Sequence, residues 1–95
     1  MAHAAEAARL TELRLSVIED RWRAELALGA SARLVGEMQV LLAAHPLRES
    51  TWGLLALALY RAQRQGDALE ALHRARRVLR EELGVDAGPE LRRLE

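Results

Sequence analysis

Residues 51–95 constrain this chain more than any other stretch. They run TWGLLALALYRAQRQGDALEALHRARRVLREELGVDAGPELRRLE: an apolar segment, a Gly66-Asp67 turn, an Arg-rich amphipathic segment, then a stop at Gly84 and a restart at Gly88-Pro89. Two helical segments joined by so short a turn fold back on one another as an antiparallel hairpin. A lone hairpin of this size cannot bury both of its apolar faces, so it is built to stack on a neighbour. Units of that kind hold and present surfaces.

The first half of the chain supplies the neighbour. A helix is predicted from about Ala4 to Leu28, carrying two apolar stripes. Leu10, Leu13, Val17, Ala24 and Leu28 form one, and Leu15, Ile18, Trp22 and Leu26 form the other, well around the helical wheel. Two such faces require two sets of neighbours. Gly29 ends this helix, because glycine readily takes the left-handed cap conformation. Ser31 is the expected N-cap of the second helix, whose apolar face is Leu34, Val35, Met38, Leu41 and Leu42. His45-Pro46 ends it, since a residue before proline is pushed out of the α region.

The third helix starts near Arg48 to Ser50. Its middle, Leu54 through Tyr60, is apolar on every side and should be the most buried element. Gly66 breaks the pattern, and Asp67 with Glu70 resembles a capping box for the fourth helix. Ala68, Leu72, Ala75 and Leu79 are its buried stripe. Glu70 with Arg74 and Arg77 with Glu81 are spaced for ion pairs on the wet face. Gly84 closes it, and Gly88-Pro89 opens a short fifth helix. The fold class is therefore all-α: four helices plus a short C-terminal helix in one domain, residues 1–95, which reads as a piece of a longer protein.

Composition excludes several roles. Fourteen basic residues, all Arg, balance 14 acidic ones, so the net charge is zero. Neutrality removes the electrostatic footprint of a phosphate-backbone binder, and direct nucleic-acid binding by this chain is not expected. With no Cys there is no disulfide framework or thiolate site. The start MAHAAEAARL lacks the apolar core of a signal peptide, and no uncharged stretch is long enough to span a bilayer, so a cytoplasmic protein without a membrane role is expected.

Helices two and four superpose at an offset of 34 residues, the tetratricopeptide period. Leu34 aligns with Ala68, Met38 with Leu72, Leu41 with Ala75, and on the preceding helices Ile18 with Trp52. The second copy, Trp52-x-x-Leu55-Ala56 followed by Ala68 and Ala75, fits the repeat well. In the first copy Arg21 and Trp22 stand where Leu and a small residue belong, while Pro46 matches the repeat-ending proline. Tetratricopeptide-like stacked hairpins are the expected architecture.

Local strings sharpen this. Glu6-Ala7-Ala8-Arg9-Leu10, His45-Pro46-Leu47-Arg48-Glu49, Trp52 followed by Leu57-Ala58-Leu59-Tyr60-Arg61-Ala62, Gln65-Gly66-Asp67-Ala68-Leu69, and Leu83-Gly84-Val85-Asp86-Ala87-Gly88-Pro89-Glu90-Leu91 occur in that order. Together they resemble the bacterial transcriptional activator domain of the Streptomyces antibiotic regulatory protein family. His73 stands where that family commonly has an aromatic. The resemblance implies a helical module that follows a winged-helix DNA-binding domain, missing here, in regulators that act as DNA-bound dimers and engage RNA polymerase. It implies an activation and oligomerisation role in transcription control. A free-standing tetratricopeptide scaffold that binds a peptide is the alternative.

No residues point to chemistry. Ser16, Ser31, Ser50, Thr11 and Thr51 lie in no nucleophile motif, and His3, His45 and His73 lack metal-ligand spacing. Asp86-Ala87-Gly88 lacks the alternating oxygens of a calcium loop. No catalysis, metal or cofactor is expected. Arg74, Arg76, Arg77 and Arg80 read as a solvated face, since Glu70, Glu81 and Glu82 lie beside them. Trp22 and Tyr60 are each either core or interface anchors, as aromatics and Arg dominate binding hot spots. The first helix of each tetratricopeptide pair lines the concave groove. By that phase Leu57, Tyr60 and Arg61 face it from the second pair, and Glu19, Arg23 and Leu26 from the first. With Trp22, these are the candidate partner-contact residues.

Overall fold

The computed structural model describes residues 2–84 and 93–94. Four helices follow one another: α1 (Ala2–Ala27), α2 (Ser31–Ala44), α3 (Glu49–Arg61) and α4 (Gln65–Leu83). They are the two expected hairpins. The fifth helix predicted at Gly88-Pro89, and most of the string that contains it, lie outside the described residues.

Helix α3 is the centre, packed closely on both α2 and α4, while α1 leans on α2 and α3. Thr51 to Ala56, Ala58 and Leu59 are all buried, as an element apolar on every side requires. Leu57 is half-buried and Tyr60 is exposed, so the sheath around α3 is open on that side. One continuous core joins Trp22 and Leu26 of α1, Leu34, Val35, Met38 and Leu42 of α2, the α3 residues, and Ala68, Ala71, Leu72, Ala75 and Leu79 of α4.

The 34-residue offset marks equivalent core positions: Leu34, Met38, Ala68, Leu72 and Ala75 are all buried. It also explains a difference between the hairpins. Ala56 is a small buried core residue of α3, and α3 and α4 pack closely. Its counterpart is Trp22, an indole in the position that close approach needs small. α1 accordingly packs less closely on α2 than α3 does on α4.

Three local expectations are corrected. Ser31 is the first residue of α2, after Ala30, and its side chain makes no capping bond. Helix α4 starts at Gln65, so Gly66 and Asp67 lie inside its first turn; Asp67 pairs with Arg64 at 2.9 Å instead of closing a capping box. The pairs Glu70–Arg74 and Arg77–Glu81 do not form; Arg74 lies over the Trp52 ring, 5.6 Å from its centroid, where the quadrupole attracts the cation. The terminators behave as read. Gly84 caps α4 at φ 67 and Gly29 follows α1 at φ 93, both in the left-handed region.

Gly66 has no positive φ, and a Cβ built there meets nothing within 4 Å. Gly66→Ala is therefore expected to stabilise the fold by about 0.5 kcal/mol, by reducing the freedom of the unfolded chain. A urea titration checks it; a lower midpoint would show that Gly66 has a role this geometry omits.

Candidate interaction surfaces

The best-built polar site is a latch between α1 and the turn that opens α3. Glu19 stands on the core face of α1 between Leu15, Trp22 and Leu26, and is itself only 2% exposed. A buried carboxylate is costly unless charge and hydrogen bonds meet it. Arg48, the residue preceding α3, donates from Nε at 3.1 Å and from Nη2 at 3.0 Å, a forked arrangement on the two carboxylate oxygens. Ser50 Oγ donates at 2.8 Å and Thr51 Oγ1 at 2.6 Å. Arg48 also donates to Glu12, about two turns upstream of Glu19 on α1. The carboxylate thus sits at the N-terminus of α3, where the helix dipole favours negative charge.

Burial pushes the Glu19 carboxyl up, but the hydrogen bonds from Arg48, Thr51 and Ser50 outweigh it and hold it below the ordinary value. The hydrogen bond from Arg48 likewise lowers Glu12. Arg48 is raised by its bonds to Glu12 and Glu19. The same turn is tied from the other side, where Trp52 Nε1 donates to the Pro46 carbonyl at 2.8 Å. His45-Pro46-Leu47-Arg48-Glu49 is thus the joint that sets how the two hairpins meet.

This placement divides the sequence candidates. Glu19, Trp22 and Leu26 are 2–3% exposed. They face the helices of their own chain, which corrects the partner-contact expectation for Glu19 and Leu26 and makes Trp22 core, the other of the two roles open to it. Arg23, Leu57, Tyr60 and Arg61 remain at the surface. Arg23 and Leu57 line one cleft of about 360 Å³ with Gly53, Leu54, Arg93 and Leu94. Leu57 and Tyr60 line a second, about 380 Å³, floored by Ala56, Ala68 and Leu72 of the second hairpin. Arg61 reaches back to the Leu26 carbonyl at 3.4 Å. Sequence reading missed the latch. Its signal was a Glu at a core position of α1, which demands a cation from elsewhere in the chain.

The other apolar stripe of α1 is bare. Leu10, Leu13, Val17 and Leu28 are 52%, 56%, 67% and 87% exposed. No described residue before Leu15 is buried, so the first turns of α1 project beyond the body. Among the described residues no group of His, Cys, Asp or Glu comes together to hold a metal ion, and no helix is long and apolar enough to cross a membrane.

Stacked hairpins with open apolar clefts and a latched joint define a tetratricopeptide-like helical domain. The comparisons with known proteins agree and go further. The chain belongs to the bacterial transcriptional activator domain family, whose profile matches residues 1–95. It is 49% identical over 87 residues to the regulatory protein AfsR of Streptomyces griseus, covering 92% of this chain and 9% of that protein. It is 42% identical over 90 residues to the regulatory protein DnrI of Streptomyces peucetius, covering 95% of this chain and 33% of that one. Among solved structures, Mycobacterium tuberculosis EmbR in complex with a low affinity phosphopeptide superposes with a TM-score of 0.91 at 38% identity, covering 93% of this chain and 23% of that chain. The chain therefore spans a third or less of the length of these relatives. They are regulators of transcription, which disfavours the free-standing peptide scaffold.

Proposed function

We propose that this chain is the protein-contacting activation module of a bacterial transcriptional regulator. It works beside a winged-helix DNA-binding domain of the same protein, in the cytoplasm, and passes promoter occupancy to RNA polymerase by direct contact. Pairing of two regulators on DNA belongs to the same reading. The observation that carries it is a family of regulators combined with a fold whose surface clefts are apolar and whose polar site is spent internally. Nothing in that arrangement asks for catalysis. Arg23, Leu57, Tyr60 and Arg61 form the groove face through which the contact is made, with Tyr60 and Arg61 of the types that dominate hot spots.

The test uses the full-length regulator that carries this domain, its promoter and purified RNA polymerase. Tyr60→Ala with Arg61→Ala is expected to lower transcript yield about tenfold while promoter affinity is unchanged. Undiminished transcription would remove the groove face from the mechanism. Lost promoter binding would overturn the division of labour between the two domains.

A further inference from the structure

We propose that the groove face binds an acidic segment of another protein, one whose large apolar side chains are flanked by Asp or Glu. The inference rests on the reading that the domain acts through protein contact at Leu57, Tyr60 and Arg61, and it names the partner's chemistry there. The two clefts on this face share Leu57, Arg93 and Leu94, so they are halves of one trough. Gly53, Leu57, Tyr60 and Arg61 fall within an arc of about 100° on α3 and run along it for about 12 Å. The floor is Leu54, Ala56, Ala68 and Leu72, all buried, while Tyr60 and Leu69 stand 60% and 50% exposed at the rim. At about 380 and 360 Å³, each cleft has room for a large apolar side chain.

Charge selects the occupant. Arg23 and Arg93 line the trough and Arg61 lies one turn beyond Leu57, whereas no Asp or Glu among the described residues lines either cleft. Arg93 forms no ion pair among the described residues, and Arg61 meets the Leu26 carbonyl there but no carboxylate. That carbonyl also accepts the Gly29 N–H at 3.0 Å, so Arg61 can leave it without stranding it. Arg23 is paired with Asp20 at 3.1 Å, but both side chains are exposed, and a pair of that kind changes partners at little cost. Carboxylates entering the trough thus meet three guanidinium groups and displace nothing that the fold needs. Nucleic acid fits badly, because a phosphate backbone would answer the arginines and leave the apolar floor uncovered.

The experiment presents the 95-residue chain with three labelled peptides that share a pair of leucines one helical turn apart. The leucines are flanked by Glu in the first, Gln in the second and Lys in the third. Binding is followed by fluorescence anisotropy at low and high salt. The Glu peptide is expected to bind at least about tenfold more tightly than the Gln peptide, and the Lys peptide more weakly still, with the differences shrinking as salt screens them. Arg61→Glu is expected to abolish or reverse the preference. Arg93→Glu, at a side chain that ties no helix to another, is expected to narrow it with the circular dichroism spectrum unchanged. Equal affinity for the Glu and Gln peptides, binding to none of them, or a preference that survives both variants overturns the proposal. So does displacement of the Glu peptide by duplex DNA, or self-association in sedimentation that Tyr60→Ala dissolves. Equal peptide affinities beside lost transcription in the Tyr60 and Arg61 variant would sink the acidic partner and keep the groove reading. A preference for Glu beside undiminished transcription would do the reverse.

Discussion

Replacing Trp22 with alanine is expected to cost about 4 kcal/mol and to free α1 before the rest of the chain unfolds. The indole is 2% exposed and fills the gap between α1 and the body. α1 packs less closely on α2 than α3 does on α4, so the lost contacts are expected to leave a cavity instead of being made good by repacking. Its Nε1 has no hydrogen-bond partner among the described residues. Nearly all of the effect is therefore packing, and Trp22→Phe is expected to lose less than half as much. A domain of this size holds about 5–15 kcal/mol in total, so the alanine variant forfeits a large share of it. Urea unfolding followed by far-ultraviolet circular dichroism gives the energy. Amide exchange gives the order: protection should vanish first in residues 15–27 and persist in α3. Uniform loss of protection across all four helices would mean that α1 is as integral as α3 and that the indole holds no separate joint.

That difference between α1 and α3 was partly written in the sequence. The helices, the turns at Gly29, His45-Pro46 and Gly84, and the equivalence of Leu34 with Ala68 and Met38 with Leu72 follow from apolar period and terminators, which are local signals. Family membership was legible for a similar reason, as ordered short strings survive without any knowledge of packing. The groove residues were legible only in part. Repeat phase assigns a residue to a face by counting, and counting assumes that each hairpin closes as the consensus one does. Trp22 in a small-residue position breaks that assumption for α1. Glu19 and Leu26 are then buried in the core, while Tyr60 and Arg61 are exposed and Leu57 is half-buried. The start of α4 was missed because glycine followed by aspartate carries the same local signal just before a helix and within its first turn. Only the Arg64–Asp67 contact separates the two cases.

The latch shows the deeper limit, and it gives the second large effect. Glu19→Ala is expected to destabilise the chain by about 3 kcal/mol. The Arg48 side chain is 13% exposed and that of Glu19 3% exposed, so removing the carboxylate leaves a largely buried guanidinium and two hydroxyls short of their acceptor. The cost measures the stranded partners more than any worth of the pair. Glu19→Leu combined with Arg48→Met, which removes both charges and keeps the volume, is accordingly expected to recover much of the loss. Acid supplies an independent readout. With the folded carboxyl held below the ordinary 4.5, the unfolded chain binds the proton more readily than the native one in that range. The contribution is therefore fully present above about pH 4.5 and is lost as pH falls through the lower native value. Glu19→Gln should be less stable than the parent at neutral pH and should show a shallower decline below pH 4.5, with the two curves converging in acid. Parallel curves would mean that Glu19 titrates alike in the folded and unfolded chains. Its bonds to Arg48, Ser50 and Thr51 would then not be what fixes the two hairpins together.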